Sequence, residues 1–375
     1  MILALALTNL LRVLTLAALV FLSSVQANEV PLNRLNLPDG FEISVWAEVV
    51  NPRQLAMNPY GVVFAGSRKA GNVYAIIDSD GDQIAETKIV IDSGLTQPTG
   101  VAYRNGDLYV GAINELLVYR NIDALLDAPP TPEIVYDGLP KNRHHGWKYI
   151  DFGPDNLLYF NVGAPCNICL KEDERFASIM RLEVSAPKPE VYAHGIRNSV
   201  GFTWHPKTGH LWFTDNGRDH LGDESPPCEL NVANRQGLHF GYPFIHGQDL
   251  YDHKFGANKN FQNYIPPVLD LDAHVAPLGL VFYQGDMLPE RFRGQLLIAE
   301  HGSWNRSAKA GHTGYRITVA RHNDTGKIIY ETLIDGWLNG NVGWGRPVDL
   351  LELEDGSLLI SDDTANVIYR ISYSG

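Results

Sequence analysis

The chain has 375 residues, 45% hydrophobic and 19% charged, with 35 glycines, 22 prolines and a formal charge of −13. This is ample apolar sequence for a large core and too apolar a composition for a disordered chain. The negative balance argues against nucleic acid and anionic membrane surfaces as partners, and any anionic ligand must be met by locally clustered arginines.

In chain order, the first feature is an apolar run from Val13 to Leu22, preceded by Arg12 and followed by Ser23-Ser24-Val25-Gln26-Ala27. The run has the length of a secretory core segment, and the small residues predict cleavage after Ala27. The expected organisation is a signal peptide over 1–27 and one domain over 28–375. Retention as an anchor is the alternative, but Asn9 and Arg12 would then sit at a cost inside hydrocarbon. A periplasmic or secreted protein is expected, with no membrane span in the mature chain.

The mature part reads as short strands separated by turns. One unit recurs: a Gly or Asp turn followed by a strand rich in Leu, Tyr, Val and Phe. Its copies begin at Gly61, Gly106, Asp155, Gly209, Gly294 and Gly356. Several lead into a second strand, as at Asn72–Ile76, Leu116–Tyr119 and Val367–Ile371. The pattern predicts an all-β fold, a six-bladed β-propeller of four-stranded antiparallel blades. A β-sandwich shares the turn spacing but does not account for six copies of one unit. Longer intervals after Phe213 and before Gly294 imply inserted loops, the usual place for a binding site. Phe41–Trp46 has no blade of its own and is expected to complete the last blade, removing an open edge.

Asp78-Ser79-Asp80-Gly81-Asp82 resembles a calcium loop, but its glycine falls fourth, so a polar hairpin tip is the plainer expectation. The cysteines are Cys166, Cys169 and Cys228. In an exported chain Cys166 and Cys169 read first as a structural disulfide, with pairing of either to Cys228 left open. Leu170 stands where a haem attachment would need His.

The densest polar stretch lies between Ala193 and Gly247. It holds His194, Arg197, Asn198, Asp215-Asn216-Gly217-Arg218-Asp219, Gly222-Asp223-Glu224 and Glu229-Leu230-Asn231. Carboxylates and main-chain carbonyls suit a hard cation such as calcium, and arginines suit an anion. Arg143-His144-His145-Gly146 leads into a strand. A histidine opening an inner strand would face the channel and act as a general base, while alternation would send its neighbour to the opposite face. Arg68, Arg306 and Arg346 flank inner strands and are expected to converge on one funnel.

On these residues the chain resembles the soluble pyrroloquinoline quinone (PQQ)-dependent sugar dehydrogenases, specifically the glucose/sorbosone dehydrogenase family. The resemblance covers essentially the whole mature chain. Its specific pieces are His145 before Gly153-Pro154-Asp155, Gly195-Ile196-Arg197-Asn198, the run from Trp212 to Asp219 continuing to Asn231, Gly237–Pro243, and Glu300–Arg306. It implies oxidation of a sugar, polyol or sugar aldehyde, with His145 as base and hydride passing to PQQ. It places Arg197 and Asn198 against cofactor and substrate, Asn216 beside the cofactor, and Arg68, Arg306 and Arg346 on PQQ oxygens. The carbonyls of Gly217 and Arg218 match ligands of the Ca2+ that touches PQQ, and Glu229 lies where some relatives bind a further calcium. Cys228 departs from the acidic residue expected before Glu229, which weakens that second site. The substrate-binding loops depart from the glucose-specific branch, and electrons must leave to a separate acceptor. The competing functions for such a propeller are a calcium-dependent lactonase and a non-catalytic glycan- or protein-binding module.

Overall fold

A computed structural model describes residues 30–322 and 326–375. The signal-peptide expectation over 1–27 lies outside them. Residues from Leu32 to Gly375 form one compact unit, and among the described residues no helix is long and apolar enough to cross a membrane.

The fold is a six-bladed β-propeller of antiparallel four-stranded sheets. The predicted recurrent unit is the second strand of every blade: Val63–Ser67, Asp107–Gly111, Leu158–Val162, Leu211–Asp215, Leu296–Glu300 and Leu358–Asp362. These strands are apolar without the usual polar alternation because both of their faces are covered. In the first blade Val63 and Ala65 pack toward the sixth blade, with Leu359 and Ile368. Phe64, between them, packs toward the second blade, with Val101 and Leu108. Alternate side chains of one strand thus feed two separate apolar layers, and the core is a ring of layers between blades.

Phe41–Glu48 pairs antiparallel with Val367–Tyr373, so the sixth sheet joins the N-terminal strand to three C-terminal ones, as expected. Trp46 is 3% exposed in the layer between the sixth and first blades. The long insertion lies within the fourth blade, between Pro227–Ala233 and Leu269–Ala273. It carries a small hairpin, Ile245–His246 with Leu250–Tyr251, and Leu238–His239, which adds a parallel edge to the third blade.

Repetition also positions the site. The residue directly after each second strand occupies an equivalent place: Arg68, Ala112, Gly163, Asn216, His301 and Asp363. Six strands running the same way in six like blades deliver these residues to one end of the ring.

Candidate active site

His145 is the centre of this end. Its expected setting needs one correction: it does not open an inner strand, which begins later at Ile150. His144 and His145 form a turn instead, with φ of +52° at His145 and ring centroids 4.0 Å apart. Strand alternation therefore does not separate them. Gly146 permits the turn, because a Cβ there would strike the Asn142 carbonyl. Gly163, after the second strand of the same blade, lets the His145 backbone approach. A Cβ on it would lie 2.6 Å from His145 Cβ and 2.7 Å from its carbonyl.

His145 is 7% exposed. Its Nδ1 lies 2.8 Å from the Ala164 carbonyl. A carbonyl can only accept, so Nδ1 carries the proton and Nε2 keeps its lone pair. Burial, then Arg197 and His144, hold the ring's pKa well below the usual imidazole range. It is neutral at physiological pH.

Arg197 and Asn198 follow the outer strand of the third blade, and Asp215 fixes their backbone by accepting both N–H groups at 2.7 and 2.6 Å. The Arg197 carbonyl accepts the Ala164 N–H, tying this segment to the one that orients His145. Asn216 joins through its side chain, which donates to the Asn198 and Pro277 carbonyls at 3.0 and 3.1 Å. The structure thus brings His145, Arg197, Asn198 and Asn216 together. Gly217 is demanded by packing, since a Cβ would come 2.4 Å from the Pro227 carbonyl. No described residue donates a hydrogen bond to the carbonyls of Gly217 or Arg218. The Arg218 side chain is spent on Asp252 at 2.6 Å. Glu229 sits in register with Asp215 on the neighbouring strand. Burial raises both carboxyls, and the Asp215 charge adds to the shift at Glu229. Glu229 accepts from Gly247 N–H at 2.7 Å and Asn231 Nδ2 at 3.0 Å.

A second group lies across the ring seam. Arg68 stacks its guanidinium 4.1 Å over Trp147, whose ring meets that of His145 edge-on at 5.9 Å. Arg346 donates to the His301 carbonyl at 2.8 Å, and Asp363 takes Arg53 at 2.9 Å and His301 Nε2 at 2.7 Å. Burial lowers Arg68 and Arg346, and Arg53 adds to both shifts. Asp363 is bonded to Arg53 and acts through its charge on Arg68 and Arg346, and the Arg68 side chain makes no hydrogen bond or salt bridge among the described residues. Arg306 stands apart, committed to the Gly311 and Asp223 carbonyls and to Glu224 at 2.6 Å.

Sequence reasoning missed Arg53, Asp363, Trp147 and Asn167. The repeat held a signal for one of them: Ile360-Ser361-Asp362-Asp363 occupies the same place as Phe213-Thr214-Asp215-Asn216. The disulfide is Cys166–Cys169, and Cys228 is a buried free thiol. A cavity of about 180 Å³ adjoins the site, lined by Ala164, Cys169, His194, His239 and Tyr242 among others.

A propeller with a neutral, oriented histidine beside arginines gathered at one end of its ring defines a class: a polar, cationic site built from blade termini. The family described as Glucose / Sorbosone dehydrogenase matches residues 126–303. A Borreliella burgdorferi protein without assigned function is 32% identical over 96% of this chain and 97% of its own length. The PQQ-dependent pyranose dehydrogenase of Coprinopsis cinerea is 20% identical over 91% of this chain, which spans 55% of that enzyme. The holo form of its PQQ domain superposes with a TM-score of 0.75 at 19% identity, covering 90% of this chain and 97% of the domain. A calcium structure of a Trichoderma reesei family AA12 carbohydrate-active enzyme gives 0.76 at 19% identity, covering 91% and 97%. The chain belongs to the glucose/sorbosone dehydrogenase family.

Proposed function

We propose that this protein is a PQQ- and calcium-dependent dehydrogenase of a sugar, polyol or sugar aldehyde, with His145 as general base. The observation that carries the reading is the protonation pattern at His145. Its Nδ1–H is spent on Ala164, its Nε2 keeps its lone pair, and burial, then the neighbouring Arg197 and His144, keep the ring neutral and able to take a hydroxyl proton.

The residues fit PQQ on independent grounds. Asn198 Oδ1 and Trp147 Nε1 are buried polar atoms with no partner among the described residues, and both flank His145. Such atoms are costly unless a ligand or water meets them. Among the described residues the Arg68 guanidinium and Arg346 Nη1 have no hydrogen-bond partner, which suits a polycarboxylate in a chain of net charge −13. For calcium, the open carbonyls of Gly217 and Arg218 are the hard oxygen donors such an ion takes. Glu229 and Asp215, both raised by burial, face each other on neighbouring strands beside the Gly217–Arg218 turn, and a bound cation would draw them into the ionised form. Arg306, committed to Gly311, Asp223 and Glu224, is given no cofactor contact in this reading. PQQ, when bound, supplies an electrophilic quinone that accepts hydride equivalents, and calcium polarises it. His145 holds the proton at Nε2, Arg197 and Asn198 orient the reacting hydroxyl, and Trp147 with Arg68 closes one wall. Names of the Coprinopsis and Trichoderma relatives support a carbohydrate substrate. Residues 1–27 are assigned as an export signal, in keeping with a periplasmic or secreted enzyme that passes electrons to a separate acceptor.

The test is calorimetric titration of calcium-loaded apoprotein with PQQ, followed by dye reduction with a panel of aldoses and polyols. Saturable binding with substrate-dependent reduction is expected. Absence of PQQ binding would overturn the assignment.

A further inference from the structure

The Cys166–Cys169 bridge closes a short loop containing Asn167 and Ile168. Tyr242 braces it, its hydroxyl accepting the Cys169 N–H at 3.0 Å and lying 3.6 Å from the Cys166 sulfur. Within this loop the Asn167 amide pairs in both directions with the main chain of Asp219. Oδ1 accepts the Asp219 N–H at 2.8 Å, and Nδ2 donates to the Asp219 carbonyl at 3.1 Å. The same Oδ1 takes Arg197 Nη2 at 3.0 Å, while the Asn167 main-chain carbonyl takes Arg197 Nε at 2.9 Å. The Asn216 carbonyl receives Nη1 at 3.0 Å and Asp219 Oδ2 receives Nη2 at 3.1 Å.

A guanidinium carries five N–H donors in a fixed plane. The four bonds just described leave a single Nη1–H of Arg197 without a partner among the described residues. We propose that Asn167 is a positioning residue: the disulfide-closed loop presents both of its carbonyl oxygens to Arg197, so that one N–H is left aimed at the bound ligand. This rests on the assignment of Arg197 to the PQQ pocket. An arginine free to change rotamer would lose that freedom on binding, and the loop removes the loss beforehand. The bridge acts locally, because so short a closed loop constrains the unfolded chain little. Asn167 also links Arg197 to Asp219, and hence to the Gly217–Arg218 turn that precedes it.

The test uses calcium-loaded apoprotein in four forms: wild type, Asn167→Ala, Arg197→Lys and the double variant. PQQ affinity is measured by calorimetry, and exchange of the Asp219 amide and Arg197 Nε–H protons is followed by NMR without PQQ. Asn167→Ala is expected to weaken PQQ binding about 10- to 100-fold, the range for hydrogen bonds to a charged group. In the Arg197→Lys background the same change should cost less than about threefold, because the coupling partner is gone. Both protons should exchange faster in Asn167→Ala and in Cys166→Ser/Cys169→Ser, which carries the test alone if Asn167→Ala does not fold. Equal losses in both backgrounds, or unchanged affinity and exchange in these variants, would overturn the proposal. A wild type that binds no PQQ would end the functional assignment instead, while proton exchange would still decide whether this loop holds Arg197.

Discussion

At the scale of single residues, the site is governed by which hydrogen-bonding groups are spent and which are left. His145 has one nitrogen committed to Ala164 and one open. Its replacement by Ala should lower turnover about 10²- to 10⁴-fold, the usual worth of a general base. PQQ affinity should stay within a few-fold of wild type, which calorimetry reads directly. Because burial and neighbouring cations depress the pKa, kcat/KM should stay level as pH falls through the ordinary imidazole value and drop only under more acidic conditions. A limb centred at the ordinary value would show that the ring is not held among those cations. His301 gives a stability counterpart. Burial lowers it to about 4, so the folded value lies below the unfolded one. Its contribution is complete above the unfolded pKa and is lost as pH falls from there toward about 4. His301→Gln should therefore flatten the decline of Tm across that window relative to wild type. At this scale the sequence was only partly legible. The positions of Arg197 and Asn198 were visible in a motif, whereas Asn167 was overlooked because its role depends on two loops meeting in space. The turn that places His144 against His145 was also hidden, since it depends on a positive φ that strand periodicity does not signal.

At the scale of the element, each blade's second strand and the residue after it form one device. The strand is buried on both faces and therefore rigid, and its end presents a side chain or a gap to the pocket. Gly163 is the gap. Gly163→Ala would push a methyl into the His145 backbone and Cβ, at 2.7 and 2.6 Å. Overpacking of this kind costs about 1–3 kcal/mol, and here it must displace the turn that aims the base. The expected result is a lowered Tm with a kcat loss approaching that of His145→Ala. Alanine at Gly294, where a Cβ meets nothing within 4 Å but φ is +74°, should lower stability alone. Stability and steady-state assays on the two variants separate the effects. These strands were legible from sequence because a core divided into layers between blades makes both strand faces apolar, giving short uninterrupted hydrophobic runs at regular intervals. The fourth-blade insertion was legible only as length. Its pairing with the third blade through Leu238–His239 involves two residues and leaves no periodic trace.

At the scale of the molecule, the ring must close for blade ends to converge, and closure depends on one strand. Phe41–Glu48 pairs with the last C-terminal strand, so the sixth blade is built from both ends of the described chain. That pairing was predictable because an unpaired strand at the start and a three-strand remainder at the end solve each other's open edge. Trp46 anchors the closure between the sixth and first blades, next to Leu55, Val63 and Leu359. Trp46→Ala should cost about 3–5 kcal/mol from lost burial and the cavity left behind. The seam it weakens lies between Arg53 of the first blade and Asp363 of the sixth, which are bonded at 2.9 Å. Loosening there should reach the Arg68–Arg346 side of the pocket before the Arg197 side, which is held by the third and fourth blades. Trp46→Ala should therefore lower Tm and weaken PQQ binding, yet leave protection of the Arg197 Nε–H proton near wild type below the unfolding transition. Hydrogen exchange together with calorimetry tests this ordering. Simultaneous loss of protection at Arg197 and along the Phe41–Glu48 strand would mean that the ring opens as one cooperative unit, with no weak seam between its first and last blades.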